Sequence, residues 1–134
     1  MCQADSKGGN IRNILIVDDE ENARIGLSKL LSAEGYDVAA AEDGVEALTC
    51  LQGDHFQLVI TDMNMPRMNG IDFLKKLNQN YPDINVIMIT AFGGIDTYLE
   101  AMKLGVYEYL HKPIKVDELK SVMWKLSFGD ESLS

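Results

Sequence analysis

A chain of 134 residues with 46% hydrophobic and 25% charged residues has the size and composition of one soluble globular domain, with no room for a second. Twelve Lys and Arg against twenty-one Asp and Glu give a net charge of −9, which repels nucleic-acid phosphates and anionic lipid and argues against either as a direct partner. Cys2 and Cys50 have no metal-ligand spacing and make no disulfide framework, and no apolar run reaches the roughly 18 residues of a membrane span, so a cytoplasmic setting is expected.

Residues 1–11 read as a flexible arm, 12–128 as the folded domain and 129–134 as a polar tail. Ile14, Leu15, Ile16 and Val17 form a continuous apolar run, as in a parallel strand buried on both faces, and the run stops at Asp18 and Asp19. From Glu21 to Glu34, Ala23, Leu27, Leu30 and Leu31 recur at helical spacing before Gly35. A weaker strand, Tyr36 to Ala41, leads to Asp43, a helix cap with Glu46 three residues on, and Val45, Leu48 and Leu51 then share a helical face. Leu58 to Thr61 is a third strand ended by Asp62. Asn64 to Gly70 has loop chemistry, and Ile71, Leu74 and Leu77 mark a helix closed before Pro82. Val86 to Ile89 forms a strand stopping at Thr90; Gly93 and Gly94 precede a helix carrying Leu99 and Met102. Val106 to Leu110 is the fifth strand, followed by Lys112, Pro113 and a last helix with Leu119, Val122, Met123 and Leu126. Five such units predict an α/β fold with an open, doubly wound parallel sheet and helices on both faces.

Ligands of such sheets bind beyond the carboxyl ends of the strands, where strand order reverses. There the strands deliver Asp18, Asp19, Asp62, Thr90 and Lys112. Carboxylates brought together repel unless a proton or cation intervenes. Oxygen ligands shared with water and a phosphoryl group suit Mg²⁺, with Mn²⁺ as a substitute. Beside that cation, Lys112 would neutralise the equatorial oxygens of a transferring phosphoryl group, Thr90 would donate a hydrogen bond, and a carboxylate would serve as nucleophile.

In this order, Asp18-Asp19 after Ile-Leu-Ile-Val, Asp62 in Thr-Asp-Met-Asn-Met-Pro, Thr90-Ala91 after Ile-Met-Ile and Lys112-Pro113 in Tyr-Leu-His-Lys-Pro resemble the receiver domain of two-component response regulators over about residues 12–128. The resemblance implies a flavodoxin-like strand order 2-1-3-4-5. It implies phosphorylation of Asp62 from a phosphohistidine on a sensor histidine kinase or phosphotransfer protein. Asp19, Asp62 and the backbone carbonyl of Asn64 would ligate the metal directly, and Asp18 through water. Lys112 would pair with phosphoryl oxygens, the small Ala91 would leave access to them, and a cis bond before Pro113 would aim the ammonium inward. Tyr109 matches an aromatic switch that turns inward as Thr90 moves toward the phosphoryl group. The face of the fourth helix, fifth strand and fifth helix (α4-β5-α5) would carry the signal to an effector, an output domain or a second, phosphorylated copy. Such a domain is no enzyme toward external substrates; it catalyses its own phosphotransfer and a slow autodephosphorylation.

Blander readings stand beside these. Asp18, Asp19 or Asp62 alone would cap a helix, Tyr109 would pack in a core, Met63, Met65 and Met68 would fill gaps, and His55 and His111 have no partner spacing. A flavodoxin-type electron carrier needs a hydroxyl- and Gly-rich loop where Asp-Asp-Glu-Glu stands, and an aspartyl-nucleophile phosphatase needs a second Asp where Asn64 stands. Ala101-Met102-Lys103-Leu104-Gly105 before Tyr-Glu-Tyr-Leu is similar to receivers of enhancer-binding transcription activators, so the chain is also read as such a receiver excised from a longer regulator. Asn64 and Phe92, two residues after Asp62 and Thr90, are expected to tune hydrolysis, Phe92 by screening the acyl phosphate from in-line water. Phe92→Glu should therefore shorten the lifetime of the phosphorylated protein. A parent lifetime equal to or shorter than the variant's would refute this.

Overall fold

The structure, a computed structural model, describes residues 11–91 and 93–128. Among these, five strands alternate with five helices: β1 (Asn13–Val17), α1 (Glu21–Ala33), β2 (Asp37–Ala41), α2 (Gly44–Gly53), β3 (Leu58–Asp62), α3 (Gly70–Asn80), β4 (Asn85–Thr90), α4 (Ile95–Lys103), β5 (Glu108–His111) and α5 (Val116–Phe128). The sheet is parallel throughout, in the order β2-β1-β3-β4-β5 expected from the resemblance.

Period-2 alternation along the strands builds two cores. Ile14, Ile16, Leu58, Ile60, Ile87 and Ile89 point to one face, where Leu31 of α1 and Leu119, Val122, Met123 and Leu126 of α5 cover them. Leu15, Val17, Val59, Val86 and Met88 point to the other, under Leu51 of α2, Phe73, Leu74 and Leu77 of α3, and Ala101 of α4. The central strands β3 and β4 are buried along their whole length, while the edge strands β2 and β5 are partly open. This explains why β2 gives the weaker apolar signal. Ile11, assigned to the arm from sequence, packs against the α1/α5 core, and the fifth strand begins at Glu108 rather than Val106. Val106 instead donates its N–H to the Ala101 carbonyl, closing the end of α4.

The helix caps separate structural acids from the rest. Asp43 accepts the Glu46 N–H at 2.8 Å and Asn69 accepts the Asp72 N–H at 2.9 Å, so α2 and α3 have side-chain caps. Glu46 reaches back to the Glu42 N–H at 2.6 Å, one residue before the cap. The cap residue of α1 is Glu20, with no side-chain cap bond, so neither Asp18, Asp19 nor Asp62 caps a helix.

Two glycines differ sharply in their surroundings. A Cβ at Gly70 would lie 2.7 Å from the Met63 Cα and 2.9 Å from the Asp62 carbonyl oxygen, while one at Gly26, inside α1, would meet nothing within 4 Å. The backbone of β3 cannot retreat without moving Asp62. Gly70→Ala is therefore expected to destabilise the fold by about 1 to 3 kcal/mol, and Gly26→Ala to stabilise it by about 0.5 to 1 kcal/mol, both read by urea denaturation.

Candidate functional site

β1 pairs with both β2 and β3, so β1 and β3 are neighbours and their carboxyl ends lie side by side. Neighbouring strands run about 4.8 Å apart, and Asp62 ends β3 while Asp18 and Asp19 follow β1 directly. Asp18, Asp19 and Asp62 each bring a carboxylate oxygen within 4.8 Å of the others. Asp18 and Asp62 are buried at 7% exposure, and Asp19 is exposed.

Lys112, after β5, reaches this pair from the far edge. Its Nζ donates to Asp18 Oδ2 at 2.9 Å and to Asp62 Oδ2 at 3.4 Å. The other oxygens are held by backbone: the Glu20 N–H donates to Asp18 Oδ1 at 2.9 Å, and the Asn64 N–H to Asp62 Oδ1 at 3.3 Å. Burial and then the Asp18 charge push the Asp62 carboxyl above its ordinary range, outweighing the opposing Lys112 ammonium and the Asn64 N–H. For Lys112, burial works against the charge, but the Asp18 hydrogen bond and the charges of Asp62 and Asp18 win and raise its pKa. One ammonium therefore only partly offsets the repulsion of the buried pair.

The remaining predicted residues gather around this centre. Asn64 Nδ2 donates to Thr90 Oγ1 at 3.3 Å, so the loop after β3 touches the end of β4, where Thr90 is fully buried. Ala91 is exposed at the mouth, and the Lys112–Pro113 bond is cis. Tyr109 is turned inward, 9% exposed within the α2/α3/α4 core. Its hydroxyl lies 3.4 Å from Thr97 Oγ1 of α4 and against the position a Cβ on Gly93 would take, and its ring meets Tyr98 and His111 edge-on. Phe92 lies outside the described residues, as do the 1–10 segment and the 129–134 tail. Met63, Met65 and Met68 pack against the same core, as gap-filling side chains would.

Two participants carry no sequence signal of their own. Arg24 of α1 donates from Nη1 to the Asp18 carbonyl at 2.8 Å, and Arg67, in the loop after β3, donates from Nε to Asp43 Oδ2 at 2.7 Å. Arg24 stands one helical turn after Glu20, but a surface arginine at that spacing is commonplace. An arginine in a seven-residue loop names no partner.

The donor set is all oxygen, clustered and partly buried, which suits a hard divalent cation such as Mg²⁺ better than Zn²⁺ or copper. No flavin cradle of hydroxyls and glycines follows β1, where Asp18, Asp19, Glu20 and Glu21 stand. Among the described residues, no helix is long and apolar enough to cross a membrane.

Residues 14–123 match the family model described as response regulator receiver domain. Regulatory protein AtoC of Escherichia coli (strain K12) is 36% identical over 113 residues, which are 84% of this chain and 24% of AtoC. Sporulation initiation phosphotransferase F of Bacillus subtilis (strain 168) is 37% identical over 112 residues, 84% of this chain and 90% of that protein. The crystal structure of a response regulator receiver domain protein from Clostridium thermocellum matches with a TM-score of 0.82 and 31% identity, over 92% of this chain and 100% of the other. The chain thus spans about a quarter of one relative and nearly all of another. With its sheet order, its carboxyl-end cluster and this match over most of its length, the chain belongs to the response regulator receiver domain family.

Proposed function

We propose that the chain is a phosphoacceptor switch in which Asp62 takes a phosphoryl group from a phosphohistidine of a sensor kinase or phosphotransfer protein. The observation that carries this reading is the convergence of Asp18, Asp19, Asp62 and Lys112 at the junction of β1 and β3. An Asp62 carboxylate oxygen attacks phosphorus; the P–O bond forms as the donor's P–N bond breaks, and the imidazole leaves after taking a proton. Asp19, Asp62 and the Asn64 carbonyl would hold Mg²⁺, with Asp18 acting through water. When bound, the ion would neutralise charge on the carboxylates and the phosphoryl oxygens. Lys112, now spread between two carboxylates, would turn to a phosphoryl oxygen, and Thr90 would donate its hydroxyl to another. Ala91 leaves the approach open.

Thr90 and Tyr109 would relay the change. Asn64 Nδ2 donates to the Thr90 hydroxyl, which keeps its own proton to donate to a phosphoryl oxygen. The Tyr109 hydroxyl sits against Gly93 beside Thr90 and faces Thr97 of α4, so movement at Thr90 alters the seat of the ring. Ile95 and Leu99 of α4 and Trp124 and Phe128 of α5 are more than half exposed, which gives the α4-β5-α5 face apolar surface for an effector, an output domain or a second copy. The small share of AtoC that this chain matches favours the further reading of a receiver from an enhancer-binding regulator.

Incubation with a small phosphodonor and Mg²⁺ should add the mass of one phosphoryl group to the parent, and Asp62→Asn or a chelator should abolish it; equal labelling of Asp62→Asn would refute the reading. The raised Asp62 pKa gives a second expectation. In the pH range above 3.8 the metal-free native state holds this proton more tightly than the unfolded chain, so its stability contribution falls as pH rises through the native pKa. Asp62→Asn should flatten that slope and raise metal-free stability at neutral pH. Mg²⁺ at 100 times its dissociation constant should stabilise the parent by about 2.7 kcal/mol, and the Asn variant by clearly less, as thermal melts will read.

A further inference from the structure

Arg67 occupies a conformation that is hard to explain by local preference. It sits at φ 66, in the left-handed region, at the centre of a three-residue turn closed by the Met68 N–H donating to the Pro66 carbonyl at 2.7 Å. A glycine would sit there without steric cost, so an arginine is held by what its side chain does. Its guanidinium crosses to Asp43, with Nε donating to Oδ2 at 2.7 Å and Nη2 on the same oxygen. Asp43 is 4% exposed, and its other oxygen caps α2 through the Glu46 N–H. The Glu46 N–H first, and Arg67 after it, hold the Asp43 carboxyl below its ordinary range against the opposing effect of burial. The contact is extended by Met68, whose side chain lies against Gly44, the first residue of α2.

Both ends of this ion pair lead back to the acidic cluster. Arg67 is three residues after Asn64, whose N–H holds Asp62 and whose side chain holds Thr90. Asp43 is two residues after Ala41, whose carbonyl accepts the Asp18 N–H at 3.1 Å. The pair therefore closes a ring, from Asp18 through Ala41, Asp43, Arg67 and Asn64 to Asp62, around one side of the site.

We infer that Arg67 is a positioning residue: its ion pair with Asp43 fixes the loop after β3 against the start of α2, and so holds the Asn64 carbonyl in register with Asp18 and Asp19 for a divalent cation. The inference rests on the phosphoacceptor reading and adds to it a determinant of metal affinity that touches neither metal nor phosphoryl group. Groups that orient metal ligands are worth about 10- to 100-fold in affinity when removed.

Two substitutions separate positioning from folding. Arg67→Gly removes the pair and relieves the backbone, and Asp43→Asn removes the charge while keeping an oxygen to cap α2. Titration calorimetry with Mg²⁺ alone, on the whole chain, should show each variant binding about tenfold more weakly, while the metal-free melting temperature of Arg67→Gly stays at or above the parent's. The double variant should lose no more than either single one, because both remove the same contact. Parent-like Mg²⁺ affinity in the two variants would overturn the inference, as would an affinity loss that merely tracks a lowered melting temperature in both. A parent that neither binds Mg²⁺ nor accepts a phosphoryl group would overturn the phosphoacceptor reading itself.

Discussion

Everything at the carboxyl edge of this sheet follows from the adjacency of β1 and β3. Parallel pairing of Val17 with Thr61 carries the chain one step further to Asp18 and Asp62, and the ladder leaves them no freedom to separate. Two carboxylates 93% buried, with a third at the rim, are a source of electrostatic strain that a hydrophobic core of this size holds in place. Relief is available from a proton, from Lys112 or from a cation. Burial, and after it the Asp18 charge, outweigh Lys112 and push the Asp62 carboxyl above its ordinary range, so relief by the ammonium alone is incomplete.

That incompleteness ties stability to chemistry. Carboxylates held together gain most from whatever brings positive charge, so a cation bound there would draw on repulsion already present in the fold. The same sharing of Lys112 between two acids leaves its ammonium free to be redirected once new anionic oxygens arrive nearby. Neither acid is spent on helix capping, since Glu20 and Asn69 take those positions. The sheet edge therefore sets Asp18 and Asp62 beside Asp19, with Lys112 and two backbone N–H groups as hydrogen-bond donors to the buried pair.

The parts of this arrangement that could be read in the sequence are those dictated by period and punctuation. Ile14 to Val17 and Leu58 to Ile60 are continuously apolar because β1 and β3 are covered on both faces, and each run gives way to an acid, Asp18 directly and Asp62 after Thr61. The five chemical residues were legible because the topology sends every strand end to one edge. The fifth strand was set too early, at Val106, because a buried valine sealing a helix end looks the same as one opening a strand. Tyr109 is buried, and Gly93 leaves space for its hydroxyl, a fit between β5 and the start of α4 that no local pattern announces. Cross-loop contacts such as Arg67 with Asp43 join residues 24 positions apart through side-chain reach, and no local pattern encodes that.

The segments around this edge are joined to one another by contacts of several kinds. The loop after β3 is pinned at Asn64, at the strained Arg67 turn and at Gly70, whose N–H meets the Met63 carbonyl at 2.7 Å. At the end of β4, Asn64 Nδ2 reaches Thr90 Oγ1 at 3.3 Å, the Lys112 N–H donates to the Thr90 carbonyl at 2.8 Å, and the Tyr109 hydroxyl is 3.4 Å from Thr97 Oγ1 of α4. A charge placed on Asp62 would be felt first at Asn64 and Lys112, which both donate to its carboxylate. The strand end that meets Asn64 on one side meets β5 on the other, and the chain runs on from it into α4 with its exposed Ile95 and Leu99.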